Sequence, residues 1–494
     1  MQNRPNVLIF FADQMRADSL GCAGHPVVKT PNIDRLAAEG ARFINAGTPT
    51  PVCIPARACL ATGILPHRSC ASKANSGTVA SGIATLAGTF TAAGYRTYAS
   101  GKLHYSPYAP PGKPRLLYGF EKASLAESGR ILGLYDPQGK QRGLEEYHDY
   151  LTNAGWGGYS RAHGVGNNDI HPAPSPLPAE HYVDSWVATR ALEYLDEHKK
   201  NSHNDPFLLY LGFPKPHAPY DPPRPWDTLY DPRTVPPPLA DADGTPRVPE
   251  KETERITHGW NFVSPETIRV IRSYYYAQIA FQDFQIGRVL TQLEKDGQLD
   301  NTIILYGADH GEMLGDFGFF AKSCFYRASV NVPFIMRWPA GIKAGLTSDA
   351  LAGIEDIMPT LCGLTEIKLK NAVDGLDLSP VLAGTNKELR SYYVSYYAAN
   401  DLSYMISNRE FKYIYGAAGA REELYNLQKD PHELKNCAAE PACAAVITEL
   451  RGALAGWAKK YDDDDFADGK FPVRPALDAD KSAFQAESMG WRWY

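Results

Sequence analysis

The stretch Asn6-Val7-Leu8-Ile9-Phe10-Phe11-Ala12-Asp13-Gln14 decides the fold class of this chain. Val7 to Ala12 is an unbroken apolar run that stops at an acid and an amide. Runs of this kind suit strands buried on both faces, as in a parallel sheet covered by helices. The same form recurs three times. Gly94 to Ala99 precedes Ser100-Gly101-Lys102-Leu103-His104, Phe207 to Leu211 leads to Lys215-Pro216-His217, and Thr302 to Tyr306 leads to Asp309-His310-Gly311. Between these runs, Asn32 to Glu39, Tyr182 to His198 and Tyr274 to Leu293 carry apolar residues at helical three-four spacing. Strands alternating with helices predict an α/β fold with a doubly wound, mostly parallel sheet. Ligands of such sheets bind outside the carboxyl ends of the strands. All four polar clusters fall there, so they are expected to meet in one site.

The 494 residues are 44% hydrophobic and 21% charged, enough apolar material for a sizeable core and too little charge for global disorder. The expected division is a catalytic α/β domain over 1–375 and a smaller C-terminal α+β domain over 376–494. In the latter, Tyr392 to Tyr397 and Phe411 to Tyr415 read as strands. Glu422 to Leu427 precedes a turn at Asp430-Pro431, and Pro441 to Tyr461 reads as a helix packed on that sheet. The acidic run Asp462 to Asp465 reads as a solvated linker. Two long stretches rich in proline and glycine, Tyr105 to Glu180 and Pro214 to Pro265, read as lids or pocket walls.

The net charge of −6 gives no basic footprint for nucleic acid and no polybasic membrane patch. No apolar run approaches the ~20 residues of a membrane span. The N-terminal run is cut short at Asp13 and reads as a strand rather than a signal peptide. The chain as it stands is therefore expected in the cytoplasm, or in the periplasm or outside the cell if a signal was removed before this numbering begins. Eight cysteines without a C-x-x-C pair argue against a disulfide scaffold or a zinc ribbon, and Cys437 and Cys443 read as reduced thiols.

Cys53-Ile54-Pro55-Ala56-Arg57-Ala58-Cys59-Leu60-Ala61-Thr62-Gly63 is the most informative stretch for function. Pro55 suits the first turn of a helix and Gly63 its end. Cys53 then sits at a helix N-terminus, where free N–H groups favour an anion, and Arg57 follows one turn later. These local features fit an activated nucleophile beside an anion pocket. They fit equally a structural cysteine in front of an ordinary helix.

The motif resembles the signature of the type I sulfatases, in which C-x-P-x-R followed by T-G marks a cysteine oxidised to formylglycine. Asn6 to Asp13, Thr30 to Ala37, Gly101 to His104, Lys215 to Tyr220 and Asp309 to Asp316 resemble further family blocks, in family order. The resemblance implies an alkaline-phosphatase-like fold and a sulfuric ester hydrolase. It implies a divalent cation, with calcium favoured over manganese or magnesium, held by Asp13, Gln14, Asp309 and His310 beside the modified Cys53. It also implies a hydrated formylglycine that attacks sulfur, with Asp309 taking its proton, a covalent sulfated enzyme, and release of sulfate when His104 removes a second proton. Arg57 and Lys102 would hold the hydrated aldehyde, Lys322 and His217 would bind sulfate oxygens, and His217 would protonate the leaving oxygen. A formylglycine-generating maturation enzyme and a sulfated small molecule or saccharide are the implied partners, and a homo-oligomer stays open.

Gln14 and His310 stand where many members have Asp and Asn, Ala56 replaces a frequent Ser, and Tyr326-Arg327 replaces a frequent Tyr-Glu. The first three changes resemble the branch of choline sulfatases, phosphonate monoester hydrolases and several polysaccharide sulfatases. The same site acting on phosphonate monoesters or phosphodiesters is thus the alternative. A non-catalytic glycan-binding relative is the reading from another class; the complete set of Cys53, Arg57, Lys102, His104, His217, Asp309, His310 and Lys322 argues against it. His163, His171 and His181 have no match in the family. Trp156, Trp186, Trp226 and Trp260 read as packing residues before sugar platforms.

Overall fold

In the computed structural model, the described residues are 4–477 except 71, 106–115, 128–141, 144, 203, 241–247, 399–400 and 467–468. The N-terminal run forms β1 (Asn6–Asp13), buried along its whole length. Among the described residues, β1 joins β2 (Ala41–Gly47), β3 (Arg96–Gly101), β4 (Lys122–Leu125), β5 (Phe207–Pro216), β6 (Thr302–Ala308), β7 (Phe334–Arg337) and β8 (Leu346–Gly353) in one sheet. The strand order is β4-β3-β5-β1-β6-β7-β2-β8. All neighbours run parallel except β7, which is antiparallel to β6 and β2. The four strands recognised from sequence lie side by side in the middle, β3-β5-β1-β6. Their polar ends therefore emerge at one edge, and this adjacency builds the site.

Helices α1 (Pro31–Glu39), α2 (Cys53–Thr62), α3 (Val183–Asn201) and α4 (Pro265–Lys295) follow. α3 packs on β3 and β5 and against α4, and α1 packs between α4 and β7. α4 starts nine residues before the apolar periodicity. Its Ser264 hydroxyl caps the N–H of Thr267 and Pro265 takes the first turn, while that turn faces solvent and carries no apolar signal. β5 also runs past its predicted end, through Gly212 to Pro216, because Asp13 pairs with Pro216 after a register shift in β1. Gly101, at φ +90, lets β3 and β5 close at this exit: a Cβ there would meet the Gly212 carbonyl oxygen at 2.0 Å.

A second, antiparallel sheet has the order β12-β11-β10-β9, from β9 (Tyr393–Ala398), β10 (Leu402–Ser407), β11 (Phe411–Gly416) and β12 (Arg421–Asn426). Helix α5 (Ala444–Lys460) buries Leu450, Leu454 and Ala458 against it. Glu422 to Asn426 lies in β12, where Leu424 pairs with Tyr413 of β11, and the chain turns after it as expected. One expectation changes here. The acidic run is no solvated linker: Asp463 is buried and Lys73 bonds both Asp463 and Asp465, since the tail folds back and packs Phe466 on Tyr404. Cys437 and Cys443 are free thiols. Of the first proline- and glycine-rich stretch, 106–115, 128–141 and 144 lie outside the described residues; the rest contributes β4 at the sheet edge and a helix, Glu146–Asn153. Among the described residues no helix is long and apolar enough to cross a membrane.

Candidate active site

The exits of β1, β3, β5 and β6 carry Asp13-Gln14, Lys102-His104, His217 and Asp309-His310, and α2 brings Cys53 to the same point from β2. Asp13, Cys53, Asp309 and His310 are all buried, and one ligand atom from each lies within 4.8 Å of those of the others. Cys53 Sγ is 3.2 Å from His310 Nε2 and 3.9 Å from Asp13 Oδ1. His310 Nδ1 donates to the Gly311 carbonyl at 3.0 Å, so Nε2 is the ring atom that faces the cluster. The donor set of two carboxylates and an imidazole, converging in a buried pocket, fits one divalent cation.

Two fixed cations back the cluster. Arg57, fully buried, donates from Nε to Asp309 Oδ2 at 2.7 Å and from a terminal nitrogen to the Lys102 carbonyl at 3.2 Å, with its guanidinium over the Phe11 ring. Lys102 bonds Asp13. Burial alone would raise the Asp13 carboxyl, yet Lys102, with Arg57, outweighs it and holds it well below the ordinary carboxylate range. Burial likewise works against a Cys53 thiolate, and Lys322, Lys102 and His310 outweigh burial and the Asp13 charge to lower the thiol. Burial disfavours a charged His310, but Asp309 and Cys53 prevail and raise it.

Gln14 has a left-handed backbone (φ +65), pinned by its N–H on Asp309 Oδ1 at 3.0 Å. Its side chain lies between Glu312 and Lys322. Lys322 also reaches His217 Nε2 at 2.9 Å. His217 Nδ1 is 2.8 Å from the Ala218 carbonyl, which places the imidazole proton on Nδ1 and leaves Nε2 to accept from Lys322. Burial and the neighbouring Lys322 push His217 well below its usual range, so it rests neutral. His104 is buried at φ +50, and its backbone N–H and that of Leu103 both donate to Glu127 Oε1 (3.0 and 3.1 Å).

Asp13, Arg57, Lys102, Asp309, His310 and Lys322 thus interact around Cys53, with Gln14 and His217 bonded to Lys322. His104 follows Lys102 at the exit of β3 with its backbone held by Glu127. The three unmatched histidines bond protein groups: His163 bonds Asp221 at 3.2 Å, the exposed His171 bonds Asp169, and His181 bonds Tyr150. Trp226 packs on Phe281 and Phe284, and Trp260 on Phe320. Sequence reasoning missed Glu127, Asn75 and Glu312. Glu312 lies inside the quoted block that starts at Asp309 and was legible there; Asn75, whose side chain bonds the N–H of Ile54, carries no such signal.

Comparison with known proteins agrees with this geometry. The sulfatase family model matches residues 5–367. The chain belongs to the sulfatase family. Residues 315–460 also match the C-terminal model of N-sulphoglucosamine sulphohydrolase. An arylsulfatase of Clostridium perfringens is 30% identical over 88% of this sulfatase and 90% of its own length. An N-acetylglucosamine-6-O-sulfatase of Bacteroides thetaiotaomicron is 28% identical over 94% and 88%. The crystal structure of a phosphonate monoester hydrolase of Agrobacterium radiobacter superposes with a TM-score of 0.78 at 26% identity, over 93% of this chain and 96% of the other. The sulfatase has the alkaline-phosphatase-like α/β fold and is a sulfuric ester hydrolase.

Proposed function

We propose that this sulfatase hydrolyses the sulfate ester of a saccharide or of a small aryl or alkyl alcohol, with Cys53, oxidised to formylglycine, as its nucleophile. The observation that carries the reading is the position of Cys53: first residue of α2, buried, and within 3.9 Å of both His310 and Asp13. A structural cysteine gains nothing from two carboxylates and three cations around it. The names of the arylsulfatase and N-acetylglucosamine-6-O-sulfatase relatives support the substrate classes.

Asp13, Asp309 and His310 would hold the cation, with Gln14 at its edge; the oxygen donors favour calcium, with manganese or magnesium as alternatives. Bound there, a divalent cation supplies positive charge that polarises the nucleophile and the ester. Arg57 and Lys102 fix the carboxylates and offset charge at the modified Cys53. Asp309 would take a proton from the nucleophile, and His104, whose backbone is held by Glu127, would take the second. Lys322 and His217, bonded to each other, would bind sulfate oxygens, and the leaving oxygen would draw its proton through His217. Conversion of Cys53 requires a formylglycine-generating enzyme as partner.

A second reading, hydrolysis of phosphonate monoesters at the same site, is favoured by the likeness to the phosphonate monoester hydrolase and by Gln14 and His310. Turnover measured side by side on nitrophenyl sulfate, a nitrophenyl phosphonate and defined sulfated sugars tests the choice. Higher kcat/KM on a sulfate is the expected result; higher kcat/KM on the phosphonate overturns it.

A further inference from the structure

The helix that begins with Cys53 has no cap of its own. Helix N-termini usually receive a side-chain oxygen from the residue just before them. Here that residue is Val52, extended and apolar, and Pro55 has no N–H to satisfy. The N–H of Ile54 is taken instead by Asn75 Oδ1 at 3.1 Å, from a loop beyond the far end of the helix. That loop is tightly turned: the Ser72 hydroxyl donates to the Ala74 carbonyl at 3.1 Å and lies 2.9 Å from the Ser76 hydroxyl.

Lys73 fastens this loop to the C-terminal part of the chain. Its carbonyl accepts the N–H of Ala398, the last residue of β9, at 3.0 Å. Its ammonium bonds Asp463, Asp465 (2.6 Å) and the Tyr404 hydroxyl (3.0 Å), over the rings of Tyr396 and Tyr404. The Tyr404 hydroxyl donates in turn to Asp463 at 2.9 Å. At the start of the loop, His67 Nε2 donates to the Tyr461 carbonyl at 2.9 Å, while its Nδ1 meets the Tyr396 hydroxyl at 2.5 Å. The segment just after α5 therefore grips the loop between the nucleophile's helix and its remote cap at both ends. The Lys73 side chain is 12% exposed and that of Asp463 fully buried, so solvent and salt screen this pair far less than a surface ion pair.

We infer that Lys73 with Asp463 and Asp465 forms a clasp that positions Asn75, and through Asn75 the first turn of α2, so that the acidic tail sets the aim of the nucleophile. Lys73, Asp463 and Asp465 are positioning residues, and the inference rests on Cys53 being the nucleophile. A small displacement of a reacting group costs much more rate than binding. Lys73→Met should accordingly lower kcat on nitrophenyl sulfate roughly tenfold or more, with KM changed less than about twofold.

The test is a double-mutant cycle in the full-length enzyme, with kcat expressed per formylglycine counted by peptide mass spectrometry and the thermal midpoint recorded for each protein. If Lys73 acts through Asn75, Lys73→Met with Asn75→Ala should be no slower than the slower single variant. Asp463→Asn, which leaves Asp465 on Lys73, should show a milder loss of the same kind and keeps the test open if Lys73→Met does not fold. An unchanged kcat per formylglycine in Asp463→Asn and Lys73→Met, or losses that multiply in the double variant, overturns the inference. Active wild-type enzyme with an intact Cys53 thiol would instead remove the reading on which it rests, and the mass spectra separate the two failures.

Discussion

His217→Ala is the substitution whose effect depends most sharply on the substrate. In the resting site the imidazole is neutral, with its proton on Nδ1 toward Ala218 and Nε2 accepting from Lys322. It is 5% exposed, so no bulk water stands in when it is removed. To act as donor, Nε2 takes up a proton with the anionic substrate and passes it to the departing oxygen. The loss therefore falls on that oxygen, which carries most negative charge when the alcohol is a poor leaving group. A buried hydrogen bond to a charged group is worth ~1.5–3 kcal/mol. At ~1.4 kcal/mol per factor of ten, kcat on an alkyl or sugar sulfate should fall about ten- to a hundredfold. On nitrophenyl sulfate, whose leaving oxygen needs little help, the fall should stay within roughly threefold. Lys322→Ala, which also loses its contact with Gln14, should slow both substrates evenly, because its proposed contacts are sulfate oxygens common to both. Steady-state kinetics on the two substrates with both variants decides. An equal loss on both substrates in His217→Ala would refute the argument and leave His217 a sulfate ligand, with Lys322 as the proton donor.

Asp13→Ala and Asp309→Ala should each lose the bound divalent ion by elemental analysis together with most turnover, since each removes an anionic donor from the cluster; unchanged metal content in Asp309→Ala contradicts the ligand assignment. His310→Ala should weaken metal binding less if the ion is calcium than if it is manganese. Away from the site, burial lifts the Asp184 carboxyl to about 8, against the pull of Lys215. The folded state therefore keeps a proton that the unfolded chain releases near pH 4, and stability falls as the pH climbs from there to about 8. Asp184→Asn should raise the thermal midpoint more at pH 9 than at pH 5, and an equal shift at both contradicts the assignment.

The site was legible in the sequence because its parts end uninterrupted apolar runs. A strand buried on both faces announces itself, and the polar residue that stops it, as at Asp13 or Asp309, is the one that reaches the pocket. The Cys53 helix was legible from Pro55 and Gly63, whose backbone limits hold in any context. Short or edge elements were not. β7 has four residues, and β2 alternates buried and half-buried positions within Ala41–Gly47, so neither forms an apolar run. The second rank of contacts was invisible for another reason. Glu127 on His104, Asn75 on Ile54 and Asp463 on Lys73 are joined only by the fold, and a lone acid or amide in a polar stretch looks solvated until its partner is placed beside it. Asp462 to Asp465 read as a linker on those grounds, although half of its charge is taken up by Lys73.

The central claim is that Cys53 works as formylglycine, and mass spectrometry of the peptide containing Cys53, from protein of known specific activity, tests it most directly. Preparations with different degrees of conversion should show activity proportional to the fraction of the peptide that carries an aldehyde in place of the thiol, and Cys53→Ala should be inactive. Full activity in a preparation whose Cys53 is entirely unmodified thiol would contradict the account.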